Sequence, residues 1–227
     1  MNFLICTALC LCLQVFAWSA SEKEMRDDLL EKFGHSDIEQ KIVNLLIDDI
    51  LTGQIDTIPI SEIRTIVAFS FGHRVLPNGN HMPGPVNEEL ADLVVKLQRQ
   101  SGAHVYAQWE IAEAIGERIP DNLLTAIQPA LNNKAQAVYL STLDVAKKIK
   151  KLVHGKTETL GKVAIIGFHD HIQRCIEMAR YVGIEAYAPE GYQMPLGYDE
   201  LSGQPWTCDR LSYLEHELRK RLQMISK

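Results

Sequence analysis

Residues 167–175, GFHDHIQRC, put two histidines around an aspartate, with an arginine three residues after the second histidine, directly behind the apolar run 162–166. Such residues serve four chemistries: a metal site, an acid–base pair, an anion cradle, or the polar first turn of a helix. Asp170 followed three residues later by Gln173 has the form of a capping box, in which a side-chain acceptor meets the free N–H groups of a helix start. With Asp170 as the cap, His171 falls in the first turn and Arg174 lies one turn further along the same face. Free N–H groups and the helix macrodipole favour an anion at that end. His171 and Arg174 then read as an anion cradle, and the dipole holds the imidazole mostly neutral near pH 7, which makes His171 the candidate acid–base group. The plainer alternative is a solvated first turn. His169 and His171 have no further histidine or carboxylate at metal-ligand spacing once Asp170 caps the helix, so no metal is expected.

What has to position these residues is legible from periodicity. A first amphipathic helix is predicted over 37–51, with Gly53 as its stop. From residue 65 onward, short β-branched runs alternate with amphipathic segments: strands at 65–71, 104–109, 137–141, 162–167 and 184–189, with helices at 86–100, 144–153 and 171–182 between them. Near-continuous apolar strands joined by helices demand a sheet covered on both faces. The expected class is therefore α/β, a doubly wound, mainly parallel five-stranded sheet of Rossmann-like type with an N-terminal helical extension.

In such sheets the ligand crevice lies outside the carboxyl ends of the strands. The residues just after each apolar run are the binding candidates: Ser70, Gly72, His73 and Arg74 after the first, Glu110 after the second, Thr142 and Asp144 after the third, His171 and Arg174 after the fourth. There is no Gly-x-Gly-x-x-Gly or Walker lysine for a phosphate loop, and no Gly-x-Ser-x-Gly elbow for a serine hydrolase. Two long loops, 77–85 and 190–206, could fold over a ligand; loops of that length in compact domains are either functional or disordered.

The balance of 29 acidic against 23 basic residues, a formal net charge of -6, argues against nucleic acid or an anionic membrane surface as partner. A small anionic molecule is the expected partner. Residues 3–18 hold only Thr7 and Gln14 as polar side chains, and no acidic or basic side chain precedes Glu22. This run is short for a bilayer span, which needs about 20 apolar residues. Small residues at Ala17 and Ser19 suit signal cleavage after Ser19. The expected organisation is a signal peptide over 1–19, a helical extension over 20–62 and an α/β domain over 63–227. The domain is then exported, periplasmic or secreted, with a membrane anchor as the alternative if the segment stays uncleaved. N-terminal sequencing of the exported protein should begin at Ala20; a membrane-bound product beginning at Met1 would make the segment an anchor. Three of five cysteines fall inside the segment, which leaves Cys175 and Cys208 as either one bridge or two thiols.

The order and spacing of these elements resemble the YdcF/SanA-like family, exported or membrane-anchored bacterial domains. The stretch LPNGNHMPGPVNEELADLV is similar to the family's approach to its first helix. Ser141-Thr142-Leu143-Asp144 resembles its Thr-x-Glu-Asn helix start, and His171-Ile172-Gln173-Arg174-Cys175 its His-x-x-Arg-Ala exit from the fourth strand, followed by MARYVGIEAYAP. Ala107-Gln108-Trp109 stands where the family has a glycine pair, and Val145 where it has asparagine. The resemblance covers residues 63–225 and implies a Rossmann-like sheet, a role in the bacterial envelope, and S-adenosylmethionine or another nucleotide-like ligand. Whether such a domain acts on its ligand or is a non-enzymatic interaction protein stays open at this point.

Overall fold

The computed structural model describes residues 55–131, 137–153 and 159–225, together with part of 23–44. The expected signal segment 1–19 and the second half of the helix predicted over 37–51 lie outside the described residues. Two compact units are present: Gln54–Asp209, which carries the sheet, and Met1–Gly53 grouped with Arg210–Lys227. The α/β unit therefore begins ahead of residue 63, and the last helix belongs with the N-terminal unit. Among the described residues no helix is long and apolar enough to cross a membrane.

In chain order the elements are α1 (Asp37–Asn44), β1 (Thr57–Ile58), β2 (Thr65–Ala68), β3 (Arg74–Val75), β4 (His81–Met82), α2 (Pro85–Ser101), β5 (His104–Gln108), α3 (Trp109–Ile115), β6 (Leu124–Ile127), β7 (Ala130–Leu131), β8 (Ala137–Val138), α4 (Thr142–Val153), β9 (Val163–Ile166), α5 (Ile172–Tyr181), β10 (Ala186–Pro189) and α6 (Arg210–Ile225). The central sheet has six strands in the order β1-β10-β9-β2-β5-β6, and every pairing in it is parallel. All four residues of β2 and all four of β9 are buried, as strands with helices on both faces must be. The chain runs from β2 outward to β5 and β6, then returns to lay β9 against the other side of β2. Right-handed crossovers place α2 and α3 on one face and α4 and α5 on the other, and each pair packs together. The fold is doubly wound, and its switch point lies between β2 and β9.

Helix α2 shows why the sequence folds this way. Leu90, Ala91, Val94 and Leu97 recur at helical spacing and are fully buried. Pro85 opens the helix with its fixed φ, and Gly102 closes it in the left-handed conformation at φ 67°.

The third predicted strand is corrected. Residues 137–141 do not enter the central sheet; β8 pairs antiparallel with β7 in a separate hairpin. Its expected place is taken by β6, the partner of β5. The run AVYLS is apolar enough for a central strand, yet α4 starts at Thr142, and only Ala137 and Val138 are extended. A sixth strand, β1, adds to the edge beside β10.

Candidate functional site

The carboxyl ends of β2 and β9 carry the site. Arg174 Nη1 donates to Thr142 Oγ1 at 2.9 Å, and the same hydroxyl shares a hydrogen bond with His171 Nε2 at 3.3 Å. The three side chains are 8%, 5% and 7% exposed respectively, so the cluster is inside the molecule rather than a solvated turn. Thr142 opens α4, and His171 directly precedes α5. Two helix N-termini from one face of the sheet therefore meet at this cluster, each contributing a positive dipole end. Phe71 stacks on Phe168 at 3.9 Å across the switch point and closes the floor beside His171.

The capping box at Asp170 does not form. Residues His169–His171 make a 3-10 turn, α5 begins only at Ile172, and His171 at its N-cap makes no side-chain capping bond. Asp170 is buried in the middle of that turn, where its carboxylate accepts from His169 Nδ1 at 2.8 Å and from the Tyr198 hydroxyl at 2.7 Å. Gln173 reaches forward to Glu177 at 3.1 Å instead of back. A tight 3-10 turn moves the acceptor off the helix axis, and a tyrosine from the late loop takes it.

A capping box does form elsewhere. Ser141 Oγ accepts from the Asp144 amide at 3.2 Å, and Asp144 Oδ2 accepts from the Ser141 amide at 3.3 Å and its hydroxyl at 2.6 Å. Asp144 is exposed and serves the start of α4, not the cluster.

On the other side of β2, Ser70 and Glu110 come together. Gln108 Oε1 accepts from the Ser70 amide at 2.9 Å, which ties the exit of β2 to that of β5. Glu110 is 4% exposed. Burial pushes its carboxyl up from an ordinary 4.5 to about 7, against the opposing pull of hydrogen bonds from its own amide and from Ser70. Its Oε2 is buried without a hydrogen-bond partner among the described residues. Tyr139 links the two halves: its phenol lies in electrostatic reach of both Arg174 and Glu110. The residue is 54% exposed, and its ring stands edge-on to Trp206 at 5.8 Å.

The remaining candidates hold the loop 190–209 onto the strand ends. Arg74 makes a bidentate pair with Asp199 at 2.8 and 2.9 Å, which holds the Asp199 carboxyl below its ordinary range. The guanidinium is thus committed to the loop, away from the Arg174 cluster. The His73 carbonyl accepts from the Gly203 amide at 2.7 Å. The His73 ring stacks on His81 at 4.5 Å, and burial, with the neighbouring His81 second, lowers its pKa. Gly72 has φ 72°, and a Cβ there would come within 2.7 Å of Ser202 Oγ and Thr207 Oγ1, so only glycine lets the loop approach. Tyr198 adds the bond to Asp170 and packs edge-on to Phe168 at 4.7 Å. The loop is therefore a strap stitched over the switch point.

Thr142, His171 and Arg174 are brought together, and Ser70 with Glu110 flanks them across β2. Sequence reasoning passed over Asn87, Tyr139, Tyr198 and Asp199. Only Tyr139 had a signal available, the polar Ser141-Thr142 just after it, which marks a helix start. No group of three or more His, Cys, Asp or Glu among the described residues is arranged to hold a metal ion. Comparison of the chain with protein-family models, curated proteins and solved structures returns no match.

Proposed function

We propose that this chain is an exported YdcF/SanA-like domain that binds a small anionic or nucleotide-like ligand at the switch point, with a role in the bacterial envelope. The observation that supports it is the Thr142–His171–Arg174 cluster, where a buried guanidinium and two helix N-termini converge. A cation and oriented N–H groups inside a low-dielectric site favour an anion far more than the same groups in water. In this reading Arg174 and Thr142 hold the anionic group, His171 is positioned to exchange a proton with it, and the strap excludes water.

The test is calorimetric titration of the purified domain with inorganic phosphate, adenosine monophosphate and S-adenosylmethionine, in wild type and Arg174→Gln. Glutamine keeps an N–H donor for Thr142 and removes the charge. Loss of one charge-assisted hydrogen bond, about 1.5 to 3 kcal/mol, predicts a roughly tenfold to hundredfold weaker affinity with little change in melting temperature. The closure that buries the cluster also favours a second reading, a non-enzymatic interaction protein that kept the fold without a working pocket. Titrations without heat for all three probes would select it.

A further inference from the structure

Building on the anion site, we infer that its ligand also carries hydroxyl groups, making it a phosphate ester of a sugar or polyol, and that Glu110 accepts a hydrogen bond from one of those hydroxyls. An ionised carboxylate offers about four acceptor positions, and buried ones are met almost without exception. The Glu110 carboxyl already receives hydrogen bonds from its own amide and from Ser70, and these fall on Oε1. Oε2 remains buried with no hydrogen-bond partner among the described residues, and Tyr139 lies in electrostatic reach of both Glu110 and Arg174. Above about pH 8, where Glu110 is ionised, a free phosphate does not answer that oxygen, because a phosphate oxygen and a carboxylate oxygen are both acceptors and repel. A hydroxyl does.

The spacing supports an ester over a bare ion. Arg174 follows β9 and Glu110 follows β5, and the two strands flank β2. Neighbouring strands lie about 4.8 Å apart, so the cationic and carboxylate sides of the site are separated by roughly 10 Å at the strand ends. That is longer than a phosphate ion and suits a phosphate on one end of a hydroxylated carbon chain. Ser70 sits at the exit of β2 between them, with its backbone fixed by Gln108. Its hydroxyl orients the Glu110 carboxylate from the side of the shared strand.

The experiment compares methyl phosphate, which has no donor beyond the phosphate, with ribose 5-phosphate, in wild type, Arg174→Gln and Glu110→Gln, by calorimetric titration above about pH 8, where Glu110 is ionised. Wild type is expected to bind ribose 5-phosphate about tenfold or more tighter than methyl phosphate, the worth of one hydrogen bond to a charged acceptor. Glu110→Gln should cut that ratio severalfold. The ratio is the readout, since removing a negative charge strengthens the binding of both phosphates. Thermal unfolding of Glu110→Gln, expected at or above the wild-type midpoint, shows that the variant folds. Equal wild-type affinities for the two esters, with binding still dependent on Arg174, would overturn the hydroxyl inference and leave the anion site standing. A ratio unchanged in Glu110→Gln would overturn the role of Glu110. No binding of either ester would overturn the anion site and this inference with it.

Discussion

Asn87→Ala is expected to remove about 3 to 5 kcal/mol of folding stability, from the loss of a buried polar hub. Asn87 is fully buried near the start of α2. Its Oδ1 accepts from the Phe71 amide at 2.9 Å, while Nδ2 donates to the Gly72 carbonyl at 2.9 Å and the Pro83 carbonyl at 2.6 Å. Alanine strands one buried donor and two buried acceptors, each costing about 1 to 3 kcal/mol when left without a partner. Asn87→Asp separates the parts: it keeps an acceptor for Phe71 but turns an oxygen towards two carbonyls, and it buries a charge. It should be at least as destabilised as the alanine variant. Urea unfolding followed by circular dichroism measures both. A loss below about 1 kcal/mol for alanine would mean that the 71–72 backbone finds other partners. The consequence reaches the site, because Phe71 and Gly72 form the turn between Ser70 and the strap-bound His73. Slackening that turn should weaken ligand binding in parallel with stability.

The central sheet was legible because burial on both faces leaves a sequence mark. The runs around Ile66, Val105 and Ile165 are apolar at consecutive positions, and no amphipathic helix reads that way. Edge strands leave no such mark. In β6, Leu124, Thr125 and Ala126 are partly or largely exposed and only Ile127 is buried, so LTAI reads as the tail of a loop. The run at 137–141 misleads for the opposite reason: its apolar character is real, but α4 starts directly behind it at Thr142, and only Ala137 and Val138 are extended. At the candidate site, the rule of strand carboxyl ends puts Ser70, Glu110, His171 and Arg174 at one edge because β2, β5 and β9 end there, whereas Thr142 follows a strand outside the sheet and reaches the cluster through the start of α4. It could not separate Arg74 from Arg174. Both follow strands, and what distinguishes them is Asp199, which lies 125 residues from Arg74 and comes near only when the strap closes. In the sequence Asp170 reads as a cap for a similar reason, since Tyr198 competes for it from a loop without periodicity.

Glu110→Gln should stabilise the chain, and by an amount that depends on pH. Burial holds the folded-state carboxyl at about 7, whereas the unfolded chain titrates near 4.5. Between those values the folded state binds the proton that the unfolded state has released, so wild-type stability falls as pH rises and the full penalty is present above the folded value. At about 1.36 kcal/mol per pH unit of displacement, the penalty is about 3 kcal/mol. Glutamine has nearly the same shape and never ionises. Below about pH 4 the two chains should differ little, since both carry a neutral group there; above about pH 8 the variant should be more stable by about 3 kcal/mol, with the gap opening between these limits. Glu113→Gln, at an exposed position on the same helix, supplies the control and should show no such opening. Stability of this size is sacrificed in proteins where a group has work to do that the fold alone does not require. A carboxyl balanced near neutrality beside Ser70 can take or give a proton, as an acid–base group must. Urea midpoints across that pH range measure the gap directly. A difference that stays flat with pH would mean that Glu110 titrates as an ordinary carboxyl, and that the unpartnered oxygen is met by a donor from the chain itself.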